Sequence, residues 1–579
     1  MTAHPQGRGA TDVPYKLLDQ PMGTLRRCRI IIVGCGSSGI CMMHRLKTFM
    51  KNLEWICYEK NEDVSGTWFE NRYPGARCDV PSVSYQFSWA PSSEWTEYYS
   101  CAKEIHDYMK STAEARLTSI SSRYDLNRAH VEFWANGTGG PPISDTADFL
   151  VNATGILNAW KWPKINGLDS YQGKLVHTAQ YPQDLKLDGL NVAIVGAGST
   201  AVQVIPTIAP TVKSLTAFIR SSIWITPGFA AKYAGPNGAN FAYSEEQRKE
   251  VLEDKEKSLT YRKAVETEIN VRFRFAIKTS QAQTEAVAVA KEGMIRMLQG
   301  NPKLCEMLIP SFGVGCRRPT PGNGFLEALM EPHVHACLDP IQRFSTKGIV
   351  TKNGNLAETE HEFDVIICAT GFDTSFRPRF PVVGRNGINL QDMWADHNQA
   401  KSYMSVSVAG MPNYLMYGGP SYPAAHGSLL PVNELIANYI CTMIYKWQLE
   451  PNLKWFEPDL QAQNEFNEHR DVQLATTVWS DSCSSWFKAG RPDGKIIALH
   501  PGSRTHFLTL LKNPRMQDYH FEYEGNRFSF CGNGFTTREI EERDLAWCVS
   551  AFPYSCFLIW HSSRYLDPED EHHRPRLQV

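Results

Sequence analysis

The chain has 579 residues, more than one hydrophobic core usually serves, so two or three domains are expected. Apolar residues make up 42% and charged residues 21%, as in ordinary globular proteins, and 59 Lys and Arg against 61 Asp and Glu leave no basic footprint for a nucleic-acid partner. The fifteen cysteines form no C-x-x-C pair and no zinc spacing, which argues against a bound metal and reads as reduced thiols in a cytoplasmic protein.

Residues 1–26 carry Pro, Gly and scattered charge rather than the apolar core of a signal peptide, and read as a tail. A βαβ unit follows, with a strand over 29–33, a helix over 38–51 and a second strand over 55–59. The loop between the first strand and the helix is "GCGSSG". Gly34 suits a tight turn, Gly36 lets backbone approach a pyrophosphate, and Gly39 lets helix pack on strand, with Ser37 between them. "FLVNATG" is a further strand-to-turn signal ending at Gly155. "NVAIVGAGSTAVQ" then repeats the first loop's grammar with Gly196, Gly198 and Ala201, and with Ser199 and Thr200 opening its helix. Each loop presents a helix N-terminus, whose unpaired N–H groups and dipole suit phosphate.

The second strands of the two units end differently. Glu59, after "WICY", can accept both ribose hydroxyls of an adenosine, which suits FAD or NAD. Arg220, followed by Ser221 after "LTAFI", can clasp a 2′-phosphate, which suits NADP. Two such sites on one chain imply a resident flavin and a soluble hydride donor.

Residues 243–292 contain no Gly or Pro and are dense in Glu, Lys, Arg and Ala, so a helical subdomain is expected at about 240–300. "DVIICATGFD" is a last strand-to-turn signal, ending at Gly371. The apolar run 545–560 is short of the roughly 20 residues that span a bilayer and contains Pro553, so it reads as a buried element and a membrane role is not expected. The expected fold is α/β: two Rossmann-like dinucleotide-binding domains with an inserted helical subdomain. The expected division is 27–185 for the first part of the FAD-binding domain, 186–365 for the NADP-binding domain, and 366–579 for the second part of the FAD-binding domain with a C-terminal extension. Disulfide reductases share this two-site layout but need a redox cysteine pair, which the spacing does not offer. Oxygen or an external electron acceptor is left.

Several blocks resemble the class B flavin monooxygenases, and within them the Baeyer–Villiger monooxygenases, over residues 28–548. "SGTWFENRYPGARCDVPSVSYQFS" (65–88) is similar to the family block that packs the flavin ring. It contains Thr67, Trp68, Arg77, Asp79, Val80 and Tyr85, and its aromatics, Tyr73 included, read as a rigid wall. "YQGKLVHTAQYP" (171–182) resembles a family fingerprint, with Tyr171 and Tyr181 where Phe and Trp are usual and with His177 kept as a linker histidine. "ATGFD" (369–373) resembles a second fingerprint. "GCRRPTPGNGFLEAL" (315–329) resembles the block carrying the active-site arginine. "SCSSWFKAG" (482–490) resembles a segment whose tryptophan, here Trp486, touches NADP.

The resemblance implies bound FAD and NADPH, Arg318 as the catalytic arginine over the flavin, Asp79 holding it, and Arg317 on the NADP phosphate. It also implies insertion of one oxygen atom from O2 beside a ketone carbonyl, giving an ester or lactone. The fungal secondary-metabolism branch is the most similar, which implies a bulky natural-product ketone bound near the inserted helices and residues 418–434. Two alternatives stand beside this reading. One is a related flavin monooxygenase acting on a heteroatom or hydroxylating carbon. The other is a non-oxygenating flavin reductase or a binding protein on the same fold.

Overall fold

The computed structural model describes residues 15–116, 129–133, 143–425 and 427–550. Two parallel sheets organise it. The first runs Tyr414–Met416, Phe149–Asn152, Cys28–Val33, Leu53–Tyr58 in spatial order. The second runs Val334–Cys337, Ser214–Phe218, Asn191–Val195, Val365–Cys368, Lys174–His177. Their central strands are short runs of Ile and Val, as expected of parallel strands covered on both faces. Each glycine loop leads from the strand Cys28–Val33 or Asn191–Val195 into a helix, α1 (Ser37–Phe49) or α2 (Ser199–Ile208).

The helical insertion contains α3 (Lys255–Val271), capped by Asp254, and α4 (Gln281–Met297), capped by Ser280. It does not stand apart. Val265 and Ile269 of α3 are buried in the core of the first sheet, whereas Ala290 and Met294 of α4 are buried in the core of the second. Burial of apolar side chains on both sides makes the insertion a brace between the two domains. The long helix α5 (Leu430–Leu449) lies against α1 through a buried ion pair, Arg45 to Glu434 at 3.0 Å. Glu434 also accepts from the Ser88 backbone N–H at 2.7 Å, so no acceptor of this buried carboxylate is wasted on apolar surroundings.

Three sequence expectations need correction. The strand Lys174–His177 lies before the expected boundary at 185 but pairs with Val365–Cys368 at the edge of the second sheet. Four residues supplied from outside the βαβ unit carry too short a pattern to reveal their partner. For the same reason the expected boundary at 365/366 falls inside a strand of that sheet. Of the expected tail, residues 15–26 include a docked segment: Met22 exchanges backbone hydrogen bonds with Phe535 and Thr537, and the Arg26 guanidinium stacks 3.1 Å over the Trp447 ring. Most of the apolar run 545–560 lies outside the described residues; Trp547–Ser550 is one helical turn. Among the described residues no helix is long and apolar enough to cross a membrane, and no cluster could hold a metal ion.

Candidate active site

The glycine loops show which of their positions the fold itself demands. Gly34 has φ +104°, and a Cβ there would lie 2.6 Å from the Ala153 carbonyl oxygen. At Gly39 it would lie 2.0 Å from the Gly34 carbonyl oxygen, so α1 could not pack. Gly36 is different: its Cβ would meet nothing nearer than Gly66 at 3.8 Å. The second loop repeats this, with Gly196 at φ +123° and 2.5 Å from the Ala369 carbonyl oxygen, and Gly198 with nothing within 4 Å. The middle glycines therefore answer to something outside the chain, as a pyrophosphate against the backbone requires. Helix capping agrees. Asp254, Ser280 and Asp459 cap their helices through side chains, but Gly36 and Gly198 leave the N-termini of α1 and α2 without a side-chain cap. Two dinucleotides fit this pair of cradles.

Charged and polar side chains stand beside both loops. Glu59 sits past the strand Leu53–Tyr58 and accepts from the Cys35 N–H at 2.6 Å, which holds its carboxylate over the first loop. Ser37, at the start of α1, accepts from Asn433 Nδ2 at 3.3 Å. On the second domain, Arg317 donates to Ser221 Oγ and to the Ser222 carbonyl, both at 3.3 Å. Its pKa is lowered first by burial and then by the positive charge of Arg220. Two guanidiniums and a hydroxyl held near enough to feel each other form a natural anion site. Ser199 and Thr200 begin α2 beside it.

Arg318, the neighbour of Arg317 in sequence, faces the other domain. Its Nε and Nη2 donate to the two carboxylate oxygens of Asp79, each at 2.9 Å, a bidentate fork. Its Nη1 donates to the Ala424 carbonyl at 2.7 Å, and its Cζ lies 5.4 Å from the Phe229 ring centroid. Burial opposes the charge, but Asp79 outweighs it and raises the Arg318 pKa above the ordinary guanidinium value. The side chains of Arg318 and Asp79 keep 22% and 24% exposure, so this fixed cation is still reachable.

The 65–88 block divides its labour. Trp68 donates its indole N–H to the Tyr85 hydroxyl at 3.1 Å, the two rings at 81°, which is the expected aromatic wall. Val80 is buried beneath it, and Thr67 opens the helical turn Thr67–Glu70. Tyr73 leaves the wall: its hydroxyl donates to Gln203 on α2 at 3.0 Å, and Gln203 returns a bond to the Arg77 carbonyl at 3.0 Å. Arg77, on the same short turn as Asp79, pairs with Glu97 at 2.8 Å. Asp79 is thereby left to Arg318, 239 residues away.

The cysteine reading also needs correction. Cys316 and Cys483 form a disulfide, with Cα atoms 6.3 Å apart across 167 residues of sequence. Only the tertiary fold brings them together, so spacing could not show it. The bond ties the arginine pair to the segment holding Trp486, which begins the turn Trp486–Lys488. Both cysteines are buried, so the pair does not face solvent as a disulfide reductase's would.

His177 joins the two fingerprints. Its Nδ1 accepts from the Ala179 N–H at 3.2 Å, so Nε2 carries the proton, facing Thr370 Oγ1 at 3.3 Å. The ring stacks on Trp160 at 4.6 Å, and burial lowers its pKa to about 4. The Tyr171 hydroxyl finds the Phe363 carbonyl at 2.8 Å, whereas the buried Tyr181 hydroxyl has no partner. Ala424, Phe229 and Gln203 were not visible as site residues in the sequence. Two act through backbone or ring face, which carry no motif.

The pyridine nucleotide-disulphide oxidoreductase family matches residues 28–320. Among curated relatives, the FAD-binding monooxygenase tazF of Aspergillus terreus is 34% identical over 90% of this chain and 94% of its own. The FAD-binding monooxygenase moxY of Dothistroma septosporum is 32% identical over 89% of this chain and 83% of its own. Among solved structures, NADP+-bound cyclohexanone monooxygenase from Rhodococcus sp. Phi1 superposes with a TM-score of 0.69 at 24% identity, covering 86% of this chain and all of that one. OTEMO in complex with FAD and NADP gives 0.70 at 21% identity, covering 86% and 99%. With two uncapped dinucleotide cradles, an arginine fixed between them, and relatives matched along nearly their whole length, the chain belongs to the FAD-binding flavin monooxygenases.

Proposed function

We propose that the protein is an NADPH-dependent Baeyer–Villiger monooxygenase that inserts one oxygen atom from O2 beside a ketone carbonyl, giving an ester or lactone. The observation that carries this reading is Arg318, held by Asp79 and by the Ala424 carbonyl while still partly exposed. When bound, FAD supplies two-electron redox chemistry and oxygen activation, and NADPH supplies the hydride. The first cradle, with Gly36, Ser37, Glu59 and the Trp68–Tyr85 wall, holds the flavin. The second, with Gly198, Ser199, Thr200, Arg220, Ser221 and Arg317, holds NADPH, and Trp486 lies on the segment bonded to it.

The chain's own part in the chemistry is electrostatic. Attack on a ketone carbonyl places negative charge on its oxygen, and the rearrangement that follows restores a carbonyl there while the charge passes to the oxygen that departs as the O–O bond breaks. A guanidinium already oriented stabilises that charge without reorganising as it forms. Asp79 keeps the fork aimed and the cation charged. Phe229 packs its ring 5.4 Å from the Arg318 guanidinium carbon and covers one side of that charge. A fixed cation of this kind is not needed to oxidise a nucleophilic heteroatom, where no carbonyl oxygen gains charge.

The substrate is read, from the resemblance of the sequence blocks to the fungal secondary-metabolism branch, as a bulky natural-product ketone. The test is purified protein with a flavin spectrum, assayed for NADPH oxidation over a ketone panel, with products identified by NMR. Ester or lactone carrying one atom from labelled dioxygen is expected. Oxides of sulfur or nitrogen with no ester from any ketone would overturn the reading.

A further inference from the structure

Arg318 donates its third hydrogen bond to a loop, and two other arginines bond to that loop. Arg470 and Arg504 are 0% and 1% exposed, and neither belongs to a sequence motif or contacts the dinucleotide cradles. Arg504 donates from Nη1 to the Ser428 carbonyl at 2.8 Å and from Nη2 to Asn270 on α3 at 2.9 Å, and it pairs with Glu266 on the same helix. The fit is close: at Gly427, with φ +78°, a Cβ would lie 3.0 Å from the Arg504 guanidinium carbon. Arg470 donates from Nη1 to Ser421 Oγ at 3.1 Å and is neutralised by Asp471 at 2.7 Å. Ser421 itself has a left-handed φ of +72°. A non-glycine residue keeps that backbone only where its surroundings enforce it.

We propose that Arg470 and Arg504 are positioning residues that clamp the two ends of the 421–428 loop, so that the Ala424 carbonyl between them holds Arg318 in its working orientation. The inference rests on Arg318 being the catalytic arginine. The geometry has a direct consequence. Arg318 is fixed at one end by Asp79, on the first domain, and at the other by a backbone carbonyl whose place is set through α3, a helix of the insertion. Movement of the insertion relative to the 421–428 loop is therefore felt at Arg318. A buried arginine costs heavily unless every donor is used, and a merely structural role would not require its donors to end on this loop. Arg504 gives Nη1 to the Ser428 carbonyl, and Arg470 Nη1 reaches Ser421 Oγ on the loop as well as Asn467 Oδ1 of its own helix at 2.6 Å.

The test compares wild type with Arg504→Lys and Ser421→Ala. Lysine keeps the charge but cannot serve Ser428, Asn270 and Glu266 together. Ser421→Ala removes the Arg470 contact to the loop and leaves every buried charge in place. Amide hydrogen exchange is read on peptides covering 418–429 and 30–45, together with product formed per NADPH consumed. In both variants the loop peptide should exchange about tenfold faster while the 30–45 peptide is unchanged. Product per NADPH should fall about three- to tenfold with the rate of flavin reduction within twofold of wild type. Unchanged exchange in the loop overturns the clamp, as does a uniform rise along the whole chain. Faster loop exchange with undiminished product per NADPH overturns the link to Arg318. Should wild type itself yield no oxygenated product, the functional reading fails, and the clamp is still judged by exchange alone.

Discussion

The two glycine loops share a backbone and differ in what surrounds them. Both need their first glycine for a left-handed turn against a neighbouring strand, and both leave the middle glycine facing open space. Beyond the loops they diverge. Glu59 sits over one, and Arg220, Ser221 and Arg317 gather at the other. Under the proposed function, the fold selects a dinucleotide and a few charges at the strand ends select which one. Arg317 and Arg318 make the same point at one residue's distance. Adjacent side chains diverge, so one guanidinium serves the second loop while its neighbour crosses to Asp79 on the first domain.

The largest expected effect separates those two arginines. Arg318→Ala should reduce oxygenated product by about 10²–10³-fold, the usual cost of losing a donor to a developing oxyanion. NADPH oxidation should partly continue, with hydrogen peroxide as its product. Arg317→Ala should instead weaken NADPH affinity and keep product per NADPH near wild type. Equal loss of coupling in both variants would erase the division of labour between them.

The next effect separates fold from ligand at a single loop. Gly36→Val should purify with less than about a tenth of the wild-type FAD, because the side chain enters the space of the pyrophosphate. The apo forms of Gly36→Val and wild type should melt together, since nothing in the chain is crowded there. Gly34→Val should fail to fold, with its Cβ against the Ala153 carbonyl. A yellow, fully loaded Gly36→Val protein would remove the first loop as the flavin site.

Arg220→Ala tests the charge difference between the loops. A charge-assisted hydrogen bond contributes roughly 1.5–3 kcal/mol, so the preference for NADPH over NADH should fall by about ten- to a hundredfold, mostly in KM. Cofactor preference identical to wild type would place the 2′-phosphate elsewhere.

The smallest effect lies where the two domains are joined. Burial lowers the His177 pKa to about 4, while in the unfolded chain it titrates near 6.5. Between those values the unfolded state binds the extra proton, so His177 contributes stability that is complete above about pH 6.5 and is lost as pH falls toward 4. His177→Gln, which keeps a hydrogen-bonding side chain without the titration, should flatten that part of the stability–pH curve in denaturant melts. An unchanged slope would show that His177 is already protonated in the folded protein.

Much of this was legible in the sequence. The two loops, Glu59 against Arg220, and the helical insertion could be read from residue type and spacing, because backbone turns and helix starts impose strict local demands. Tyr73 shows where reading stopped. It sits among the aromatics of the 65–88 block, yet its hydroxyl belongs to Gln203 on the other domain. Arg77 shows the same limit, since no motif in the sequence points to its partner Glu97, 20 residues away.

The sequence by itself determined the first βαβ unit, the two glycine loops and the charges of Glu59 and Arg220 at the ends of the strands that follow them, since all of these depend on interactions within about 30 residues of chain. Tertiary structure alone decided the edge strand Lys174–His177, the Cys316–Cys483 bond, and the brace in which α3 and α4 enter separate cores. It also decided the orientation of Arg318, whose partners lie 239 and 106 residues away. Contacts of that separation form only when whole domains have packed, and no local pattern along the chain encodes them.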